Sequence, residues 1–213
     1  MNCDSNTVLD EINTLFKQKK YDEVINKTKI LLDEGNNQIS TEARTKLGLS
    51  YYYKGEFHKS LPIFEELASM NNDVLDWFNV MTSAIPIKEI EKGRAAFQKA
   101  IELRRISSDY GLPSTPFIRY YYALALNNAG IFDEAMEQLD VLKGFYIQLV
   151  DTDSNHLYVH GVPLLGQTLD LAKEVLTGLN IDMSRSEWLK ELKQGIDDDG
   201  KNFIEKKYEN ANL

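Results

Sequence analysis

The chain has one cysteine, Cys3, among 213 residues, so no intrachain disulfide can form and a reducing compartment is the expectation. No histidine or basic cluster sits near that thiol in the sequence to activate it as a nucleophile. The opening Met1-Asn2-Cys3-Asp4-Ser5-Asn6 has neither the basic head nor the apolar run of a secretory leader. No stretch approaches the roughly 18 uninterrupted apolar residues of a membrane span, and a cytoplasmic protein is predicted. Excess positive charge is also missing. Lys and Arg number 24 against 33 Asp and Glu, a net charge of −9. That field repels a phosphate backbone and opposes docking on an anionic membrane, but steers basic polypeptides inward. Nucleic acid and membrane are therefore not expected partners. A glycine-rich phosphate loop, a GxSxG elbow and a paired CxxC are absent, so neither catalysis nor a cofactor is predicted.

What is present is the material of a folded core: 43% hydrophobic residues against 27% charged, arranged with internal self-similarity. Three segments share a polar break followed by an aromatic residue that opens a helical pattern: Lys20-Tyr21-Asp22-Glu23-Val24, Gly55-Glu56-Phe57-His58-Lys59-Ser60 and Gly130-Ile131-Phe132-Asp133-Glu134-Ala135. Around them recur a small residue and a large one at fixed offsets. The second copy has Leu47-Gly48-x2-Tyr51, then Ser60-x3-Phe64; the third has Trp77-x2-Val80-Met81-x2-Ala84, then Gly93-x3-Phe97. The fourth has Tyr122-Ala123-x2-Leu126, then Ala135-x3-Leu139, and a weaker first copy has Ile12-x2-Leu15, then Val24-x3-Thr28. Two helices approach closely only where a small side chain faces the partner, and a large one must fill the space beside it. Gly48, Ser60, Gly93, Ala123 and Ala135 are the expected small contacts; Tyr51, Phe64, Trp77, Phe97, Leu126 and Leu139 are the expected fillers.

This layout resembles the tetratricopeptide repeat, a pair of antiparallel helices recurring at about 34 residues. Tyr21, Phe57, Ile90 and Phe132 taken as equivalent anchors give intervals of 36, 33 and 42. The last interval contains an insertion, placed at Ser107-Ser108-Asp109-Tyr110-Gly111-Leu112-Pro113-Ser114. The family's closing proline is replaced by Asn36, Asn72, Arg105 and Ile147, and Pro86 interrupts the third copy. The resemblance implies an all-α fold: a right-handed superhelix of about four antiparallel helix pairs over residues 1–150, followed by C-terminal capping helices over 151–213. Pro163 is read as the first residue of a helix carrying Leu165, Leu169, Ala172, Leu176 and Leu179. Ser186 is read as the cap of another helix, through Trp188, Leu189 and Leu192.

The resemblance further implies that the first helix of each pair lines a concave groove. It assigns Asn6, Leu9, Asn13 and Phe16 to that line, then Glu42, Thr45, Leu49 and Tyr52, then Leu75, Phe78, Thr82 and Ile85, and last Phe117, Tyr120, Leu124 and Asn127. The set is mostly apolar and aromatic and contains no Lys or Arg, so the two-carboxylate clamp of some relatives is not expected. An apolar peptide or an amphipathic helix fits such a groove, with Phe16, Leu49, Tyr52, Phe78, Phe117, Tyr120 and Asn127 as partner-binding residues. The competing arrangement has the C-terminal helices filling that groove themselves. The expected function is non-catalytic binding of a protein or peptide by a monomer or homodimer. An alternative is a dedicated neutraliser or chaperone of one basic client, of the toxin-immunity or secretion-chaperone type. Two acidic stretches, Gly195 to Gly200 and Asp151 to Asn155, miss the ligand positions of a calcium loop and are read as solvated loops. His156 and His160, four apart with Asp151 or Asp153 near, are the one constellation suited to a metal-dependent hydrolase. Leu157-Tyr158-Val159 between them favours a strand, no HExxH motif is formed, and no metal is expected.

Overall fold

The computed structural model describes residues 5–33, 41–109 and 111–209; Cys3 and Asn36 lie outside them. Every regular element among the described residues is helical, and the chain divides into two compact units, Met1–Ala100 and Ile101–Leu213.

Unit 1 holds α1 (Ser5–Lys17), α2 (Tyr21–Asp33), α3 (Thr41–Tyr53), α4 (Phe57–Asn71), α5 (Val74–Ala84) and a 3-10 turn, Ile85–Ile87. Next comes α6 (Ile90–Ile106), in which the division between the units falls. Val8 and Ile12 in α1, one helical turn apart, pack with Val24 and Ala43, while Ile25, Leu47 and Tyr51 form a second cluster closed by Ile63. Helix α3 packs along both α2 and α4, and α4 along α5. The α3–α4 approach depends on Gly48: a Cβ there would lie 2.7 Å from the Phe64 ring. The Ser60 hydroxyl meets that of Ser83 at 3.1 Å inside the core, so two small polar residues satisfy each other where α4 and α5 meet.

Unit 2 holds α7 (Thr115–Ala129), α8 (Phe132–Leu149), α9 (Ser154–Val159), α10 (Leu165–Gly178), a 3-10 turn (Met183–Arg185), α11 (Glu187–Gly195), α12 (Asp198–Ile204) and a terminal π turn (Glu205–Glu209). Ile118, Tyr122, Leu126, Leu139, Leu142, Tyr146, Leu157, Leu169 and Val175 are buried here. Helix α10 packs mainly on α8 and less on α7, the relation that α3 has to α2 and α1; α11 also packs on α8.

One turn recurs between helices. Lys19, Gly55, Lys88 and Gly130 have φ of 58°, 73°, 67° and 80°. Each donates its amide to the carbonyl three residues back, and the next amide reaches five back, as in Gly55 to Tyr52 at 2.9 Å and Glu56 to Tyr51 at 2.9 Å. This pair of bonds satisfies the last carbonyls of a helix and stops it. The next helix starts two residues later, at Tyr21, Phe57, Ile90 and Phe132, the residues read as equivalent anchors. Asn180, with φ 61°, repeats the turn after α10, its amide reaching Thr177 at 3.0 Å and that of Ile181 reaching Leu176 at 2.8 Å.

Several expectations need correction. Pro163 precedes α10 rather than opening it: its carbonyl accepts from the buried Tyr146 hydroxyl at 2.6 Å, and Leu164, whose amide donates to the Gln167 side chain at 3.2 Å, is the cap. The segment 151–155 is only partly loop, since Asp153 accepts from the amides of Asn155 and His156 and so starts α9 at Ser154. Asp197 does the same for α12, accepting from Gly200 at 2.9 Å, so Asp198 and Asp199 form a first helical turn. Trp77 does not fill the core. It is half-buried, its indole N–H donates to the Asn72 side chain at 3.0 Å, and Val80, Met81 and Ala84 occupy the interior of α5 instead. Ser186 caps α11 as expected, accepting from Leu189 at 3.3 Å.

Candidate protein-binding surface

The first-helix residues singled out in the sequence fall differently in the two units. In unit 1, Phe16, Leu49, Tyr52 and Phe78 are half-buried, and Leu75 is exposed. Phe16 and Tyr52 join an aromatic cluster where the helix pairs turn. The ring centroids of Phe16 and Tyr21 lie 5.7 Å apart, those of Tyr21 and Tyr53 stack at 5.4 Å, and Tyr52 meets Phe57 at 5.4 Å. The Lys46 ammonium sits 4.9 Å from the centre of the Phe16 ring, within the range of a cation–π contact. A cation thus reaches this face from a position outside the predicted line. Asn13 donates to Glu42 at 2.7 Å, tying α1 to α3 along that line. Thr82 and Ile85 leave the set: they are 6% and 0% exposed. The reason at Ile85 is the 3-10 turn containing Pro86, beside which Ile85 packs so tightly against Gly93 that a Cβ on the glycine would lie 2.4 Å from it.

In unit 2, Phe117 is exposed and its ring is tilted by 39° against that of Tyr121, centroids 5.5 Å apart. Asn127 donates to Glu174 of α10 at 2.9 Å. Tyr120 is half-buried, and burial, together with Tyr121, Glu174 and Asp170, raises its hydroxyl pKa above the ordinary value. The C-terminal helix α10 therefore sits beside part of the predicted α7 line, while Phe117 faces solvent.

His156 and His160 lie on α9 and its cap, not on a strand, because the Asp153 cap nucleates a helix through the intervening apolar residues. Their rings pack at 4.3 Å, His156 Nδ1 is 3.7 Å from Asp151, and His160 Nδ1 lies 2.9 Å from the His156 carbonyl oxygen. Among the described residues no group of three or more His, Cys, Asp or Glu is placed to hold a metal ion. None of their helices is long and apolar enough to cross a membrane.

The charge is unevenly divided: 13 Lys and Arg against 15 Asp and Glu in residues 1–100, and 11 against 18 in residues 101–213. Unit 1 is thus near neutral at −2, and unit 2 carries −7. Sequence reasoning from the whole-chain total could not show this division, although a count over each half would have.

No family model matches the chain. It is 31% identical over 173 residues to the peroxisomal targeting signal receptor of Saccharomyces cerevisiae, a match covering 80% of this chain and 26% of that protein. A receptor of the same name from Candida glabrata is 25% identical over 173 residues, covering 76% of this chain and 27% of its own length. The chain thus spans about a quarter of the length of these relatives. Among solved structures it is similar to the crystal structure of MamA protein, with a TM-score of 0.61 and 16% identity over 99% of this chain and 98% of the other. That likeness concerns the fold. With the helix pairs described above, it gives the chain an all-α fold, a tetratricopeptide-like helical repeat.

Proposed function

We propose that the chain is a non-catalytic interaction module, acting in the cytoplasm, that binds a polypeptide on the first-helix face of its repeats. The observation that carries the reading is the half-buried apolar line of unit 1, Leu49, Tyr52 and Phe78 with exposed Leu75, on a helical-repeat fold. Side chains that are partly covered and held in place lose little entropy when a partner completes their burial. The relatives named as targeting signal receptors favour a short peptide or a peptide-like segment as the client. Phe16 is the edge of this surface, and Phe117 is the unit 2 residue left open to a partner.

The test is affinity capture by the full chain, with the retained partner then titrated against wild type and against Leu49→Ala combined with Phe78→Ala. Each anchor carries about 2 kcal/mol, so the affinity should fall by well over tenfold while far-UV circular dichroism stays unchanged. A captured partner that binds the double variant as tightly as wild type would reject this surface.

The charge of unit 2 favours a second reading, a chaperone or neutraliser of one basic client. Its association should weaken steeply with added salt, because screening shortens the reach of surface charge; an affinity independent of salt would count against it.

A further inference from the structure

Unit 2 contains a cleft of about 500 Å³, lined by Thr152, Asp153, Ser154 and Leu157, by Leu164 to Gln167, and by Asp199, Gly200 and Phe203. That volume lies in the range of pockets that hold a ligand or a pair of side chains. The cleft is braced on two sides. Asp197 accepts from the Thr152 amide at 3.0 Å and hydroxyl at 2.6 Å, locking α12 to the start of α9. The Tyr146 hydroxyl donates to Pro163 and lies 2.8 Å from that of Thr168, which fixes the entry to α10.

Two apolar side chains in the lining remain notably open, Leu164 at 44% and Phe203 at 41% exposure. Beside them stand two carboxylates and no cation. Asp153 spends one oxygen capping α9, and the Asp199 carboxylate has no ion pair or side-chain hydrogen bond among the described residues. The nearby ammonium groups already have carboxylate partners outside the lining, Lys201 pairing with Asp198 at 3.0 Å and Lys207 with Asp170 at 2.8 Å, although Lys207 also lies 5.7 Å from the centre of the Phe203 ring. Gln167 uses its side-chain oxygen on the Leu164 amide, so its NH2 group can donate to an incoming carbonyl. An anion would be repelled here, and an uncharged apolar group would strip water from the two carboxylates without replacing it.

We propose that this cleft binds a polypeptide segment in which a bulky apolar residue adjoins Lys or Arg, the apolar side chain resting between Leu164 and Phe203 and the cation meeting Asp199 and Asp153. The charge of −7 on the unit extends the attraction to further basic residues of the same segment. The cleft is lined by unit 2 residues alone and shares none with the α3 and α5 surface of unit 1, so the proposal stands whether or not that surface binds a partner.

The test uses the full chain, isotopically labelled, titrated with the blocked tetrapeptide Lys-Leu-Phe-Lys and with Glu-Leu-Phe-Glu and Lys-Ser-Ser-Lys. The amide signals of Gly166 and Gly200 should shift and saturate with the first peptide alone. Asp199→Asn should weaken that binding by about tenfold, the value of one charge-assisted hydrogen bond. Asp133→Asn, which removes the same charge from the exposed first turn of α8 outside the cleft lining, should change it less than about twofold. Phe78→Ala should leave the titration unchanged. Equal losses for the two aspartate variants, equal binding of the acidic peptide, or no shift at Gly166 and Gly200 at millimolar peptide would each overturn the proposal.

Discussion

Where α3 meets α4 in unit 1, Gly48 admits the ring of Phe64; in unit 2 the repeat alignment puts Ala123 and Leu139 at the same two positions, and both are fully buried. The smallest residue is paired with an aromatic one, and the next smallest with an aliphatic one, so the space between two helices is filled either way. What a helix pair of this kind requires is a summed volume at the contact, not a particular residue. That explains how so degenerate a sequence repeat builds one structure twice.

Breaking the pairing should have the largest effect. Gly48→Ala places a methyl 2.7 Å from a ring that is itself 0% exposed and has no room to retreat. The expected cost is about 2 kcal/mol, larger than the roughly 1 kcal/mol that alanine gains over glycine inside a helix. Chemical denaturation would measure it. Adding Phe64→Leu recreates the unit 2 pair and should recover most of the loss; a double variant no more stable than Gly48→Ala would show that the two contacts are not interchangeable.

The second contrast is polar. Unit 1 joins α4 to α5 through the two hydroxyls of Ser60 and Ser83, whereas unit 2 ties α8 to the start of α10 through the Tyr146 hydroxyl, which reaches both Pro163 and Thr168. Burial raises the Tyr146 pKa far above the ordinary tyrosine value, so this hydroxyl keeps its proton and remains a donor throughout the physiological range. Tyr146→Phe leaves the Pro163 carbonyl without that donor and should cost unit 2 about 1 to 2 kcal/mol by the same measurement. A neutral result would mean that water replaces the phenol at no loss.

The anchors Tyr21, Phe57, Ile90 and Phe132 were legible because each follows a helix-stopping turn. Gly55 and Gly130 advertised two of those turns, since glycine adopts positive φ without strain. Lys19, Lys88 and Asn180 adopt the same conformation with no glycine to mark it, which is why the turn after α10 could not be read from spacing. The expected core was mostly right, since Phe64, Phe97, Leu126 and Leu139 are buried. It failed at Trp77, where the side chain of Asn72, itself in the left-handed region, holds the indole N–H at the surface. The binding line was legible as helix positions but not as exposure: Ile85 turns inward because of a 3-10 turn, and Asn127 meets a helix 47 residues further on. Neither contact leaves a local signal. The unit 2 cleft was not foreseen, because its walls come from three short segments that only the fold assembles.

The smallest effect sharpens the comparison of the two interiors. Among the described residues, the buried polar side chains of unit 2 are neutral, namely Gln138, Thr168 and Ser186, whereas unit 1 buries the carboxyl group of Asp76. Burial raises the Asp76 pKa above the usual value, and the charge of Asp73 pushes the same way, against the bond donated by Asn71 at 2.8 Å. A carboxylate whose folded pKa is raised makes the native state bind more protons than the unfolded state. Its penalty is therefore fully present above the folded pKa, shrinks as pH falls through it, and is gone below the unfolded value of about 3.9. Asn at this position keeps an oxygen for Asn71 but carries no charge. Asp76→Asn should then raise stability at pH 7 by less than about 1 kcal/mol, and denaturation curves of variant and wild type should converge as the solution is acidified. If the wild type is the more stable at neutral pH, attraction between the carboxylate and the start of α5 outweighs its burial; the charged interior of unit 1 would then be a stabilising device that unit 2 lacks.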